Sequence, residues 1–439
     1  MKNNEPKIPV TLPAASLPHY DTIVCGGGLA GFAAAVRSAE NGAKTLLIDN
    51  GGDLGGDITK AFVPQLLDPA GKGGLVRDIN NFLNEGGHTS ARRGPRYDEN
   101  GKKIPGTMID VEYLQYYLAK RCKTAGVEVL YYSLVTGVEM EENGREIASV
   151  LIATECGFFR ATAHTYIDAT GNGLLAAYAG CEYECGHPDT GEPQPASAGV
   201  QVIGVQAGAF KADNDRQKVE NKERLEAAGI KISSEGFACI EGTVDGVYGT
   251  GGNMQYHVYP DDPFAFSRAT TDAKIENFEF VDQLRALPEF AKIAVVHSST
   301  HIGIREGRRI FGRYYITVDD IISGARFEDA VCLVRFGVDV HRVNEQDDHF
   351  KHSEGRKVHP YNIPFRALIP RDCDNLFLAG RCISGDFYAH SSYRVACDVI
   401  PTGEAVGYAA AQCAKDGKRP CDADGLAVSA FMREMGYDM

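Results

Sequence analysis

Moving a proton near neutral pH calls for His, Tyr or Arg side chains within reach of a reacting group, and three stretches of this chain concentrate them. The first holds His297, His301, Arg305, Arg308 and Arg309. If His301-Ile302-Gly303-Ile304-Arg305 is extended, alternation of side chains puts His301 and Arg305 on one face. Arg305 or Arg308 then reads as a candidate for that proton-moving work, against the plainer reading of a structural ion pair with Glu306 or acids elsewhere. The second stretch, Asp386 through Arg394, reads as a polar loop following a strand; His390 is its favoured acid or base, with Tyr393 and Arg394 as ligand contacts. Its plainer reading is a hydrogen-bonded loop that shapes a pocket. The third holds Asp339, His341, His349, His352 and His359. His349-Phe350-Lys351-His352 invites a metal, but two His three apart have no further ligands at recognisable spacing and Asp347-Asp348 suit a solvated loop, so no metal is expected. His341 ends the apolar run Gly337-Val338-Asp339-Val340, read as a strand that aims it into a substrate cleft.

The elements that must position these groups announce themselves near the N-terminus. An apolar run, Tyr20 to Cys25, leads into Gly26-Gly27-Gly28-Leu29-Ala30-Gly31 and then an Ala-rich stretch, which is strand, tight turn and helix. Gly26 permits the turn, Gly28 lets a pyrophosphate approach the helix N-terminus, and Gly31 allows helix and strand to pack closely. Lys44 to Ile48 reads as a second strand ending at Asp49, an acid placed to bind a ribose hydroxyl pair. Dinucleotide binding follows; the bland alternative is a Gly-rich turn in an ordinary α/β domain.

Farther along, Gly51 to Thr59 reads as a Gly-rich loop and Val111 to Gly126 as a helix. Val127 to Tyr132 is then a strand, while Val135 to Met140, Ile147 to Thr154 and Phe158 to Ala163 suggest an antiparallel meander. Tyr166 to Asp168 is a strand that turns at Ala169-Thr170-Gly171 into a helix, and Asn375 to Leu378 is a strand ending at Gly380-Arg381. A helix is expected to start at Pro401, since Pro suits the first helical position. Between Gly180 and Pro360 the texture changes, with a charged helix over Lys211 to Glu226, and this is the expected second domain.

At 439 residues with 44% apolar and 24% charged residues, the chain belongs with soluble globular proteins. A formal charge of −14 and the want of a basic stripe exclude a nucleic-acid partner. The first 19 residues, rich in proline, are expected to be a tail without the basic start and long apolar stretch of a signal peptide, which predicts the cytoplasm; no apolar run is long enough to span a bilayer. The 12 cysteines show no framework and are expected as buried thiols.

The spread of strand-turn units near residues 26, 171 and 380 favours FAD over a nicotinamide cofactor, whose site would be complete within the first half. In these segments, together with His301 through Ile310 and Asn375 through Gly407, the chain resembles the FAD-dependent oxidoreductase family that shares the glutathione-reductase-type FAD fold. The resemblance implies an α/β architecture: a Rossmann-like FAD-binding domain, βαβ plus a small antiparallel meander, with an inserted α+β substrate domain. The expected divisions are a tail over 1–19, a discontinuous FAD domain over 20–180 and 361–417, a substrate domain over 181–360 and a C-terminal segment over 418–439. It implies FAD held by Gly26, Gly28, Leu29, Ala30 and Gly31, by Asp49 and Asn50, by Gly56, Asp57 and Thr59, and by Val135, Ala169, Thr170 and Gly171. Gly380, Arg381, Pro401, Thr402 and Gly403 are expected beside the flavin, with the positive end of the Pro401 helix at its pyrimidine edge. Two departures stand out: Asp49 replaces the commoner Glu, and Gly307 occupies the position of a usual Ser. Disulfide reductases of this fold carry their cysteine pair shortly after the second strand, where Gly51 to Thr59 has none, so Cys181 and Cys185 are not expected to be redox-active.

The catalytic candidates are therefore His390, Arg308, Arg305, His341 and Tyr393, serving hydride transfer to or from a small hydroxylated or carboxylated substrate. With no second Gly-x-Gly-x-x-Gly unit, a separate electron donor or acceptor is expected. No membrane partner is expected, and an oligomer is compatible with the sequence. The rivals are an NAD-dependent dehydrogenase and a catalytically silent dinucleotide-binding scaffold.

Overall fold

The computed structural model describes residues 13–90, 108–344 and 356–439, together with the backbone at 96–97 and 103–104. His349, His352 and Asp347-Asp348 lie outside the described residues. The chain opens with β1 (Ala14–Ser16), β2 (Tyr20–Cys25), α1 (Leu29–Glu40) and β3 (Thr45–Ile48), followed by α2 (Asp57–Lys60), α3 (Gly74–Glu85) and α4 (Val111–Ala125). Next come β4 (Glu128–Leu130), the meander β5 (Leu134–Met140), β6 (Ile147–Thr154) and β7 (Gly157–Ala161), then β8 (Ala163–Asp168) and α5 (Leu174–Tyr178). Part of the expected tail is thus a strand, because β1 pairs in parallel with β7 at the edge of the meander. The expected loop over Gly51 to Thr59 likewise ends in the single turn α2, where Gly56 takes φ +61° ahead of Asp57.

Far along the chain, β13 (Ala330–Val334) and β14 (Tyr361–Pro364) form a hairpin-like pair, and β15 (Leu376–Leu378) joins the first sheet, whose order is β15-β8-β2-β3-β4. All its pairs are parallel. A parallel sheet is covered on both faces, which is why β2, β3, β8 and β15 are mostly buried along their length. Thr22 shows one face, since its hydroxyl accepts from Ser38 of α1. Tyr166, in register with Ile23, belongs to the other face, where its hydroxyl donates to the Ala148 carbonyl of the meander.

The C-terminal elements are α8 (Val318–Ser323), α9 (Phe387–Tyr393), α10 (Ala396–Asp416) and α11 (Gly425–Glu434). Here two sequence expectations are corrected. Asp386 to Arg394 is not a loop: the Asp386 carboxylate accepts from the Ala389 amide at 2.7 Å, an N-cap that starts α9. The last long helix begins at Ala396 and carries Pro401 inside it. Its first turn is fastened by the Cys397 amide, which donates to the Leu67 carbonyl, so its positive end lies five residues ahead of the expected one. Helices α1 and α10 lie backbone to backbone: a Cβ on Gly403 would sit 2.0 Å from the Ala30 carbonyl oxygen, and one on Gly407 2.3 Å from that of Ala34. Glu404, between them and fully buried, takes Arg37, the Tyr437 hydroxyl and the Leu75 amide as partners.

The intervening region contains the antiparallel sheet β10-β11-β9-β12, from β9 (Val200–Ile203), β10 (Ile240–Glu241), β11 (Tyr248–Thr250) and β12 (Ala294–Ser298). With α6 (Asp215–Ala227) and α7 (Pro263–Leu284), it encloses its own core of Val200, Phe237, Phe280, Phe290 and their neighbours. By contrast, Ile310, Ile321, Val331 and Val340 pack into the core of the parallel sheet.

Candidate functional site

The carboxyl ends of β2, β8 and β15 are level, with Cys25, Asp168 and Leu378 in register, and such a row of strand ends is where open α/β sheets bind ligands. Each end turns on a glycine with positive φ: Gly26 at +102°, Gly171 at +75° and Gly380 at +81°. Asp168 holds the turn after β8 by accepting from the Thr170 amide and hydroxyl and the Ala176 amide, and its burial pushes the carboxyl above its ordinary range.

The four glycines of the first turn have different reasons to be glycine. A Cβ on Gly26 would lie 2.4 Å from the Ala169 oxygen, on Gly27 2.6 Å from Leu54, and on Gly31 1.8 Å from the Gly26 oxygen. Gly28 differs. Its φ of −62° suits any residue, and a Cβ there would meet nothing closer than the Gly56 Cα at 4.0 Å. The protein itself therefore places no demand for glycine at 28, and the space in front of it opens onto the start of α1. That helix has no side-chain cap and no acid in its first turn, whereas α4, α6, α7 and α11 are capped by Asp110, Asn214, Asp262 and Asp424. A bare helix N-terminus behind a glycine cradle binds anions, pyrophosphate among them.

Asp49, 6% exposed, ends β3 beside this turn. Its carboxylate accepts from the Gly27 amide at 2.7 Å and the Gly51 amide at 2.8 Å, and pairs with Lys60. Asn50 next to it is exposed. Lys60 escaped sequence reading, although its place one turn from Asp57 on α2 puts it at the same edge. Arg381 reaches across the strand ends: it pairs with Asp57, and a Cβ on Gly171 would lie 2.5 Å from its Nη2. Among the described residues its Nε has no hydrogen-bond partner. Thr402 ties α10 to this row, its hydroxyl accepting from the Gly380 amide at 3.0 Å and donating to the Val399 oxygen at 2.6 Å. Pro401 and Val135 are buried, Gly403 is spent on the close approach to Ala30, and the Thr59 hydroxyl donates to the Leu54 oxygen.

Just past α2, Ala61 and Phe62 begin the wall of a cavity of about 550 Å³ that also meets Arg305 and His341. His341 Nδ1 is 3.1 Å from Glu235 Oε2, and its Nε2 is 3.9 Å from Asp339 Oδ2. Burial and the Arg305 charge push its pKa down, so the ring is neutral at pH 7. Gly337 to Val340 is not the expected strand: the Asp339 amide donates to Ser391 Oγ, and just beyond the segment the His341 amide donates to Gln194 Oε1. Glu235 had no signal in the sequence; its loop, Ser233 to Gly236, meets His341 only through the tertiary fold. His301 is exposed and does not line the cavity, so it and Arg305 are not brought together there.

Arg308 is 8% exposed and donates to the Asn172 and Pro260 carbonyls, while Arg309 is the residue that pairs with the buried Glu306 and with Glu184. His390 and Tyr393 are fully buried in α9. The Tyr393 hydroxyl donates to the Ile383 carbonyl, and among the described residues neither ring nitrogen of His390 meets a partner in hydrogen-bond geometry. Burial and the charges of Arg394, Arg309 and Arg381 hold His390 well below the ordinary imidazole pKa. Cys181 and Cys185 are free thiols whose pKa burial raises, Cys185 to about 12.

These residues fit FAD. The open space before Gly28, the uncapped α1 and the Arg381 Nε, unpartnered among the described residues, lie along one row of strand ends that an extended dianionic dinucleotide would follow. Comparison with known proteins agrees. The digeranylgeranylglycerophospholipid reductase of Methanococcus vannielii is 28% identical over 128 residues, which are 29% of this chain and 33% of that protein. Its namesake from Methanococcus aeolicus is 31% identical over 122 residues, 28% of this chain and 31% of that one. The chain thus matches about a third of the length of these curated relatives. Among solved structures, a triple mutant of the flavin-dependent brominase Bmp2 superposes with a TM-score of 0.50 at 12% identity, covering 95% of this chain and 84% of that one, a likeness of fold. Among the described residues no helix is long and apolar enough to cross a membrane. The family model for FAD dependent oxidoreductases matches residues 21–434, nearly the whole chain, and the protein belongs to that family.

Proposed function

We propose that this FAD-dependent oxidoreductase exchanges a hydride with a small organic substrate, hydroxylated or carboxylated, seated in the cavity bounded by Ala61, Phe62, Arg305 and His341. The observation that carries this reading is the position of that cavity: its wall starts one residue beyond α2, whose Asp57 is paired with Arg381 at the strand ends. FAD supplies the two-electron acceptor or donor at its N5. The pyrophosphate belongs at Gly26 to Gly31 and the flavin near Arg381, Gly380 and Thr402.

The chain's own residues then divide the remaining work. Glu235 accepts from His341 Nδ1–H, which fixes the tautomer and leaves Nε2 as the nitrogen that takes a proton from the substrate in oxidation or returns it in reduction. Arg394 holds the segment that carries His341: its guanidinium donates to the Asp339 oxygen at 2.8 Å and to the Arg305 oxygen at 3.0 Å. Burial and the nearby Arg305 pull the Arg394 pKa down to about 10, still cationic at neutral pH. His390, fully buried, shapes the site from within α9. Electrons enter or leave through a separate donor or acceptor.

The test is anaerobic mixing of the holoenzyme with a panel of hydroxy acids and alcohols while flavin absorbance is followed, in the wild type and in His341→Gln. We expect bleaching by members of the panel, slowed about 100-fold or more in the variant, as for loss of a general base, at unchanged FAD content. A variant that bleaches as fast as the wild type would remove His341 from the mechanism. A protein that no member bleaches would favour the silent scaffold.

A further inference from the structure

Arg305 stands out among the cations near the cavity. Its Nη1 donates to the Pro195 carbonyl at 2.7 Å, and among the described residues its guanidinium makes no ion pair. The two carboxylates nearest in the electrostatic sense, Asp339 and Glu235, are engaged elsewhere. Asp339 is 3.7 Å from Arg394, and Glu235 accepts from the Arg342 amide at 2.6 Å as well as facing His341. Of the other charged groups on the wall, Asp110 caps α4, Glu112 is exposed, and Lys218 pairs with Asp215 at 2.7 Å. A guanidinium drawn out of water without an ion pair is costly, and the cost is recovered when an anion arrives.

The rest of the cavity says what the anion is attached to. Phe62, Met108, Ile109, Val200 and Met254 line it, and its volume of about 550 Å³ is in the range of small-molecule sites whose few polar groups fix orientation while apolar walls supply affinity. Guanidinium donors form a planar fork that matches a carboxylate. Resting on the reading that this cavity holds the substrate, we propose that the substrate is an amphipathic carboxylate: its carboxylate is held by Arg305, its apolar body lies against Phe62, Met108, Ile109 and Met254, and the reacting carbon sits between the carboxylate and His341.

Isothermal titration of the holoenzyme with octanoate, octanol and octylamine tests this, in the wild type and in Arg305→Gln and Arg305→Lys. Octanoate is expected to bind the wild type about tenfold to a hundredfold more tightly than octanol, the range of a charge-assisted hydrogen-bond pair, with octylamine weakest. Arg305→Gln should reduce octanoate to the level of octanol and leave octanol unchanged, with Arg305→Lys in between. Octanol or octylamine binding as tightly as octanoate, no octanoate binding at all, or a preference for octanoate that survives in Arg305→Gln would each overturn the proposal. The wild-type series needs no variant to fold. Because the heats do not depend on electron transfer, failure here leaves the flavin reading standing, and failure of flavin bleaching leaves the charge preference measurable.

Discussion

His390 is an imidazole at 0% exposure whose neighbours are three guanidinium groups, and protonating it inside the fold is strongly disfavoured. In the unfolded chain the same ring titrates at about 6.5. Its folded pKa is depressed, so between that value and 6.5 the unfolded state binds a proton that the native state refuses. Stability is therefore lost as pH falls below about 6.5, at a limiting rate of about 1.4 kcal/mol per pH unit. Asp168 and Asp386, raised by burial, act in the opposite sense but equally in any His390 variant. We predict that the melting temperature of the wild type drops more steeply between pH 7.5 and 5.5 than that of His390→Asn. Parallel profiles would show that the buried ring does not carry this acid sensitivity. At this scale the sequence was legible where a backbone demand selects one residue type, as at Gly26 and Gly31, where a Cβ would strike main chain. It was not legible for Lys60 or Glu235, whose partners Asp49 and His341 lie 11 and 106 residues away and leave no local pattern.

Helices α1 and α10 bring the two ends of the chain together, and their contact depends on Gly403 and Gly407, four residues apart on one face against Ala30 and Ala34. Adding side-chain atoms here forces the backbones apart. Gly407→Val is predicted to cost about 1–3 kcal/mol or more, as overpacking of a closed core does, read as a lower urea midpoint with unchanged slope. A midpoint within error of the wild type would mean that the helices can separate at little cost. The central strands of the parallel sheet follow the apolar runs read from the sequence, because β2, β3, β8 and β15 are mostly buried along their length. The start of α10 does not, because Ala396 to Ile400 are all buried and show no amphipathic edge, so Pro401 looked like the first residue. In α9, residues Phe387, Ala389 to Tyr393 are buried too, and the polar names His390, Ser391 and Ser392 read as a loop, although Asp386 was the cap in plain view.

Over the whole molecule, the ligand row is assembled from chain positions near 25, 168 and 378, brought level by parallel pairing. That much the order of strand and Gly-turn units already implied. The cavity beside it was not visible in the sequence, since its walls come from separate stretches around 61–65, 108–112, 197–201 and 234–254. We infer that this row holds FAD at the Gly28 cradle. The measurement that tests it most directly is the FAD content of purified, desalted protein, from its visible spectrum before and after acid precipitation, for the wild type beside Gly28→Ala. A flavin spectrum that acid releases into the supernatant is expected in the wild type. The variant is expected to give an apoprotein that melts at the same temperature, because the added Cβ meets only open space, yet retains little FAD. A colourless wild type that cannot take up added FAD, or a Gly28→Ala protein that holds FAD as firmly as the wild type, would contradict it.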